Sequence, residues 1–179
     1  MQEESNLINF VFHLYNRSND QCTIFREDEN YQFFLAKMKR QLLPVARLLA
    51  YCIMPNHFHV LLVPNHPVRE DFPLDGERHN VMPTREISEG VRRWLMGYTK
   101  AYNKRFELTG SRFQQHSKAK HHRGGIREGL DYIHLNPVRA KLVADAADWQ
   151  FSSYNEHEGM IHPKNCLCDL DLVRLLLAQ

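Results

Sequence analysis

The sequence lacks the features that mark membrane-spanning, secreted and zinc-knuckle proteins. No stretch approaches the run of about 20 apolar residues that spans a bilayer. The start, MQEESNL, is acidic and polar, unlike a secretory signal. Of the 4 cysteines, Cys166 and Cys168 lie close together, but no second pair completes a zinc site, so we expect reduced thiols. These absences predict a cytoplasmic protein without membrane contact.

Length and composition indicate a single globular domain. The chain has 179 residues, of which 43% are hydrophobic and 25% charged, and this excludes collagen, coiled coil and wholesale disorder. We therefore expect one domain over residues 1–179, large enough for a core of its own. Residues 64–86 hold four of the 8 prolines and read as an insertion loop, and a tail begins at about residue 144.

The charge of the chain is small in total but unevenly distributed. The formal net charge is +2, yet from Arg92 to Lys141 there are 12 Lys and Arg residues against 3 Asp and Glu residues, a net charge of +9, which leaves −7 for the remainder. Cations bind phosphates and interleaved aromatic rings stack on unpaired bases, so this segment predicts a nucleic-acid interface. The candidate DNA-binding residues are Arg92, Arg93, Lys100, Lys104, Arg105, Arg112, Lys118, Lys120, Arg123 and Arg139.

Hydrophobic periodicity predicts strands that alternate with helices. Strands are expected at 7–16, 47–53 and 57–63, an extended run at 108–122, and helices at 27–43, 87–105, 124–136 and 169–178. The short Met-Pro-Asn connection between the second and third strands predicts a hairpin. The order β-α-β-β-α-β-α favours the α+β class, with a central antiparallel sheet covered by helices.

Two histidines in the third strand form the strongest candidate site. Residues i and i+2 of a strand share a face, so His57 and His59 project together while Phe58 points into a core. A single histidine in a strand is usually a partly buried polar residue. A pair on one face favours two ligands of one divalent ion.

The helix predicted at 124–136 carries a second candidate constellation. Ile126, Leu130, Ile133 and Pro137 form its buried stripe, while Glu128, Tyr132, Asn136 and Arg139 form another face. Because a proline disfavours helical geometry in the residue before it, we expect Asn136 to be the last helical residue. Tyr132 can supply a hydroxyl nucleophile, and Asn136 an oxygen ligand to the same metal.

Two long segments resemble the IS200/IS605-type single-tyrosine transposases, especially their REP-associated tyrosine transposase branch. The strand YCIMPNHFHVLLVP at 51–64 is similar to the HUH motif region of that family. The segment DYIHLNPVRAKLV at 131–143, followed by DWQFSSY at 148–154, is similar to its tyrosine-bearing helix and tail. The start of the chain, at 13–34, also resembles the first strand and helix of that branch. The resemblance spans roughly 8–64 and 87–154.

The resemblance implies a ferredoxin-like HUH endonuclease fold and a metal-assisted enzyme that nicks and transfers single-stranded DNA beside hairpins or REP-like repeats. It implies that His57 and His59 are metal ligands and that Tyr132 forms a 5′-phosphotyrosine. Asn136 would be the third ligand, at a position where related members have glutamine. Mg²⁺ or Mn²⁺ is the expected cofactor, and a bacterial, nucleoid-associated location follows. The 64–86 loop is longer and more proline-rich than the family pattern.

Two other functions stay open at the level of sequence. A domesticated protein that binds DNA or RNA hairpins would keep the basic surface without turnover. A hydrolytic metallophosphoesterase would use the histidine pair with a metal-bound water and would not need Tyr132. Oligomeric state is also open, because the tyrosine helix could complete the site in its own chain or by exchange in a homodimer.

Overall fold

The computed structural model of the protein describes residues 10–75, 77 and 80–178. The strands are β1 (Phe12–Arg17), β2 (Ala46–Met54), β3 (His57–Pro64) and β4 (Lys118–His121). The helices are α1 (Asp28–Leu42), α2 (Arg85–Phe106), α3 (Ile126–His134), α4 (Asn136–Arg139), α5 (Tyr154–His157) and α6 (Leu170–Leu177). Within these residues no helix is both long and apolar enough to cross a membrane.

The four strands form one sheet in the order β2-β3-β1-β4, and every neighbouring pair is antiparallel. This is the strand order of a ferredoxin-like fold, with helical connections after β1 and β3. The predicted α+β class, with a central antiparallel sheet covered by helices, is confirmed. Residues 7–9 of the predicted first strand lie outside the described residues.

Helices α1 and α2 cover one face of the sheet. The fully buried Phe58 of β3 packs against Phe34 of α1 and Trp94 of α2, with ring centroids 5.5 and 4.6 Å away. The Trp94 indole N–H donates to the Phe34 carbonyl at 3.0 Å, which satisfies the polar end of a buried ring. The two helices approach closely because position 90 is glycine: a Cβ on Gly90 would lie 2.7 Å from the Gln41 carbonyl oxygen.

Helices α3 and α6 cover part of the opposite face. The alternation of β3 turns Leu61 and Val63 toward them. The predicted buried stripe is confirmed: Ile126, Leu130 and Ile133 of α3 are buried, and so is Pro137 of α4. Helix α3 covers β2 and β3, while the polar end of the same face is left accessible beside it.

The predicted loop and tail are both anchored in the core. Phe72, in the 64–86 loop, is buried and packs edge-on against Phe12 with centroids 5.1 Å apart. In the tail, Phe151 stacks on Tyr31 at 3.9 Å, and the Trp149 indole N–H donates to a strand carbonyl. The tail therefore closes the core beside β2.

Two sequence-based boundaries are wrong. Helix α3 ends at His134, not at Asn136, because the chain bends at Leu135 and a new helical turn begins. Pro137 lies in the first turn of α4, where its missing N–H costs no hydrogen bond. Residues 108–117 form a loop, and β4 is confined to the last part of the run at 108–122. Positive φ angles at Gly110 and His116, +85° and +63°, turn the backbone there and interrupt strand pairing.

Candidate active site

Polar side chains share one end of the sheet face that α3 partly covers. The antiparallel register places Tyr15 between His59 and Lys118, and it places Arg17 opposite His57. Side chains directly opposite each other in a sheet point to the same side. Histidine, tyrosine and cationic groups therefore meet there, on the face away from α1 and α2.

The two motif histidines each have one ring nitrogen engaged by protein. Nδ1 of His57 lies 2.6 Å from Oδ1 of Asn56, whose amide nitrogen donates to the Gln21 carbonyl. An amide oxygen can only accept, so His57 carries its hydrogen on Nδ1 and a lone pair on Nε2. Nδ1 of His59 lies 2.8 Å from Nε2 of His13. The rings of His57 and His59 are 5.1 Å apart, and Nε2 is the remaining nitrogen of each.

Both imidazoles are neutral at pH 7. Burial lowers the pKa of His59 to about 2, and the neighbouring His13, His57 and Arg17 add to the effect. Burial also lowers the pKa of His57 to about 4, with Arg17 again contributing. Metals bind the neutral form of imidazole, so the pair is in the ligating form without losing protons.

Helix α3 brings Tyr132 to the same end of the sheet. Its ring lies edge-on to the rings of His13 and His59, with centroids 5.7 and 5.8 Å away. The side chain is 46% exposed, so a substrate can reach it. Position 129 is glycine at this close approach: a Cβ there would lie 2.9 Å from Nε2 of His122 and 3.2 Å from the Leu61 side chain. The tyrosine and both motif histidines therefore meet within one chain.

Two adjoining cavities meet at Tyr132. One, of about 340 Å³, is lined by Arg17, His57, His59, Gln114, Lys118 and Asn136. The other, of about 290 Å³, is lined by His13, Lys120, His122 and Glu128. Tyr15, His59 and Tyr132 border both. The tyrosine thus lies at the border of two cavities, together termed the groove, whose charged lining residues are Arg17, Lys118, Lys120 and Glu128.

Asn136 reaches the first cavity even though it lies beyond the end of α3. Its amide nitrogen donates to the carbonyls of Tyr132 and Ile133, at 2.7 and 3.3 Å. These bonds leave the amide oxygen as the atom that can bind a cation. Arg139 also donates to the Tyr132 carbonyl, and its guanidinium lies 5.6 Å from the tyrosine ring. The turn after α3 therefore braces the tyrosine.

The chemistry of the available donors fits a divalent ion. Among residues 10–75, 77 and 80–178 no group of three His, Cys, Asp or Glu side chains is arranged to hold a metal. A metal here would take Nε2 of His57, Nε2 of His59 and the Asn136 amide oxygen, with phosphate or water completing its shell. Oxygen donors favour Mg²⁺ or Mn²⁺, although two imidazoles also suit zinc.

The cations of the +9 segment divide between the two faces of the sheet. Lys118, Lys120 and Arg139 lie at the site. The basic residues of α2 lie on a helix that packs against the opposite face. Acidic residues outside the +9 segment pair with three of its cations: Arg92 and Arg93 pair with Glu89, and Arg105 pairs with Glu27.

The remaining basic candidates lie near the rim of the groove or away from it. Arg112 donates to the Thr109 carbonyl and Arg123 to the Leu74 carbonyl, so both brace loops. Glu89 lies three residues before Arg92, outside the +9 segment, and pairs with two of its arginines. DNA contacts by the candidate residues stay predictions, and the structure gives Lys118, Lys120 and Arg139 the strongest position.

Sequence reasoning missed His13, Tyr15 and Arg17. All three lie on the face of β1 that meets the motif histidines. Their i, i+2 and i+4 spacing in a strand was the available signal, because it matches the spacing of His57 and His59. The pairing register, which brings β1 beside β3, could not be read from the sequence.

No protein-family model matches this sequence, and no curated protein matches it. The fold is similar to the solved structure of a REP-associated tyrosine transposase bound to a REP hairpin, with a TM-score of 0.59 and 17% sequence identity. The match covers 90% of this chain and 87% of that chain. At this identity the likeness shows the fold, and it is the fold that the motif resemblance implies.

Proposed function

We propose that this protein is a metal-dependent endonuclease and strand transferase that cuts single-stranded DNA beside a hairpin, with Tyr132 as its nucleophile. One observation carries the proposal. A half-exposed tyrosine meets two neutral imidazoles whose Nε2 atoms have no hydrogen-bond partner within the described part of the chain. A nucleophile, a ligand pair and cations in one groove are the requirements of phosphoryl transfer.

In the proposed reaction the Tyr132 hydroxyl oxygen attacks a backbone phosphorus. The new bond to tyrosine replaces the bond from phosphorus to the 3′ oxygen, so the phosphate stays on the 5′ end as a tyrosyl ester. The phenol loses a proton and the departing 3′ oxygen gains one. Attack by the 3′ hydroxyl of another strand then restores the phosphodiester and the free tyrosine, and the bond is conserved without an external energy source.

His57, His59 and Asn136 would hold Mg²⁺ or Mn²⁺ in this reaction. When bound, the ion supplies charge stabilisation for the phosphate oxygens. Asn136 also fixes the carbonyl end of the Tyr132 residue through its amide nitrogen. Through these two roles, the Asn136 side chain would hold the metal ligands and the nucleophile in a fixed relative position.

The proposed substrate is hairpin DNA with a single-stranded flank. Support comes from the hairpin bound to the structurally similar transposase and from the cations around the groove. Lys118 and Lys120 follow one edge of it, with Arg17 at one end and Arg139 beside Tyr132. Such positive charges bind a backbone whatever its sequence. Because one chain assembles the groove, the proposal needs no exchange of helices between subunits.

A covalent-trapping assay tests the proposal. Hairpin oligonucleotides with randomised flanks and a 3′ fluorescent label are incubated with the protein and Mn²⁺, then separated in denaturing gels. The label should migrate with the wild-type protein and should be lost in Tyr132→Phe or with EDTA. Tyr154→Phe, which alters a tyrosine of α5 remote from the groove, is the matched control and should keep the adduct.

The other outcomes identify the alternative functions. Hairpin binding with a steep salt dependence and no cleavage would indicate a binding protein without turnover. Metal-dependent cleavage without an adduct would indicate a metallophosphoesterase. An adduct formed by Tyr132→Phe would show that another residue is the nucleophile.

A further inference from the structure

His13 is a histidine in hydrogen-bond contact with a proposed metal ligand. Its Nε2 lies 2.8 Å from Nδ1 of His59. The His13 ring is stacked between Tyr15 and His59, with centroids 5.0 and 4.9 Å away and both planes tilted by 30°. The Tyr132 ring meets it edge-on at 5.7 Å. Rings on several sides thus fix the orientation of this imidazole.

The contact between the two imidazoles has two possible hydrogen arrangements. In a bond between two neutral rings, one nitrogen carries the hydrogen and the other supplies the lone pair. If His13 donated, His59 would carry its own hydrogen on Nε2 and could not bind a metal through that atom. If His59 donates from Nδ1, its Nε2 has a free lone pair. The second arrangement is the one that matches His57, whose Nδ1 donates to Asn56.

We infer that His13 is a positioning residue that accepts the Nδ1 hydrogen of His59 and thereby holds the Nε2 lone pair of His59 toward the metal. This inference rests on the proposed function, because it assigns a role toward the ion that His59 would bind. Metal-ligating histidines usually donate their second N–H to a carboxylate, a carbonyl or water. Here a neutral imidazole takes that place.

A histidine suits this position for an electrostatic reason. A carboxylate beside His59 would place a negative charge next to the groove where the DNA phosphate must bind. Apart from Glu128, the charged side chains that line the two cavities are cations, and Lys120 lies directly opposite His13 on β4. A neutral acceptor orients the ligand without repelling the substrate. The uncharged amide of Asn56 accepts the Nδ1 hydrogen of His57 in the same way.

The test is the tautomer of His59, measured on the full chain by ¹⁵N NMR with EDTA present. In the wild type the hydrogen should be on Nδ1 of His59. His13→Leu removes the acceptor and should convert His59 to a mixture of tautomers, while His13→Gln supplies an amide oxygen and should restore the Nδ1–H form. His66→Leu, at an exposed position after β3, is the control and should change nothing. An Nε2–H tautomer in the wild type would overturn the inference.

Titration with Mn²⁺ alone provides the second readout. His13→Leu should weaken Mn²⁺ binding about 10-fold or more, the size of effect that outer-shell partners have, and His13→Gln should recover most of the loss. Equal affinity in the wild type and in His13→Leu would overturn the inference. If the wild type does not bind Mn²⁺ at all, the metal part of the proposed function fails, while the NMR result still decides the role of His13.

Discussion

Two histidine pairs, each with one buried and one half-buried member, are similar in several local properties. The first is His57 with His59, and the second is His134 with His157, whose ring centroids are 4.8 Å apart. Burial lowers the pKa of His59 to about 2 and that of His134 to about 3, so both are neutral at pH 7. Their surroundings differ.

The second pair makes structural hydrogen bonds. Nε2 of His134 lies 2.8 Å from Oγ of Ser153, and Nε2 of His157 lies 2.9 Å from the Leu49 carbonyl. The Ser153 hydroxyl also accepts from the backbone N–H of Tyr51. These bonds tie α3, β2 and the tail together. The pair therefore fixes the helix that carries the tyrosine, and Nε2 of each ring is engaged.

The comparison shows that a depressed pKa alone does not identify an active site. Buried structural networks perturb a histidine as strongly as catalytic grooves do. His57 and His59 differ because Nδ1, not Nε2, is the engaged nitrogen and because both side chains border a cavity with Tyr132 and Asn136. Two sets of substitutions separate the two pairs, acid acts on both, and a last pair of double variants compares the two faces of the sheet.

Loss of the first pair should have the largest effect. The double substitution His57→Ala with His59→Ala removes both imidazole ligands, and nicking should fall by roughly 10³-fold, the rate equivalent of several kcal/mol of transition-state stabilisation. Adduct yield with Mn²⁺ measures the loss, with circular dichroism as the check of folding. A folded double variant that still nicks at the wild-type rate would contradict the ligand assignment.

Loss of a contact in the second pair should act on stability. Ser153→Ala leaves the Tyr51 N–H and the His134 ring nitrogen without their buried partner, and the free energy of unfolding should fall by about 2–4 kcal/mol. Urea unfolding measures this, and Ser88→Ala, at an exposed position on α2, is the control. Mn²⁺ affinity of the folded protein should stay unchanged. If Ser153→Ala lost Mn²⁺ binding but kept full stability, the second pair would have a role in metal binding and not in structure.

Acid should destabilise the protein through both pairs alike. Because the folded pKa values of His59 and His134 lie below the ordinary 6.5, the unfolded chain binds protons that the folded protein does not. The free energy of unfolding should therefore fall as pH falls from 6.5, by about 1.4 kcal/mol per pH unit for each histidine. His59→Gln and His134→Gln should each remove the contribution of one proton from the slope of the free energy of unfolding against pH. Urea unfolding at pH 5 to 6.5 with EDTA measures this slope. An unchanged slope in either variant would show that its imidazole is not held neutral.

The smallest effect concerns the two faces of the sheet. Lys118→Ala with Lys120→Ala should lower the slope of log affinity against log salt by about 1.4, because each phosphate contact contributes about 0.7 on single strands. Arg92→Ala with Arg93→Ala should change it little, since Glu89 pairs with both arginines on the opposite face. Fluorescence anisotropy measures the slopes. Equal changes in the two double variants would show that the whole basic segment contacts DNA.

The sequence predicted the features that depend on short-range periodicity. The i, i+2 spacing placed His57 and His59 on one face with Phe58 in the core, and the 3.6-residue period placed the buried stripe of α3. These follow from the geometry of a single strand or helix. The α+β class followed from the order of elements, because short hairpins and helical crossovers restrict the sheet to few arrangements.

Features that depend on long-range pairing could not be predicted. The contact of His13 with His59 spans 46 residues and needs the β1–β3 register. The end of α3 at His134 reflects the bend at Leu135, while the proline rule pointed to a residue two positions later. The pairing of Arg92 and Arg93 with Glu89 depends on side-chain positions along α2, which a net charge does not contain.

The central claim is that Tyr132 forms the covalent bond to DNA. The most direct test is to identify the residue that bears the adduct. Trapped complexes are digested with nuclease and trypsin, and the modified peptide is sequenced by mass spectrometry. We predict a nucleotide phosphate on Tyr132. The groove holds a second tyrosine, Tyr15, which borders both cavities. A nucleotide on Tyr15, or cleavage that leaves no modified peptide, would contradict the account.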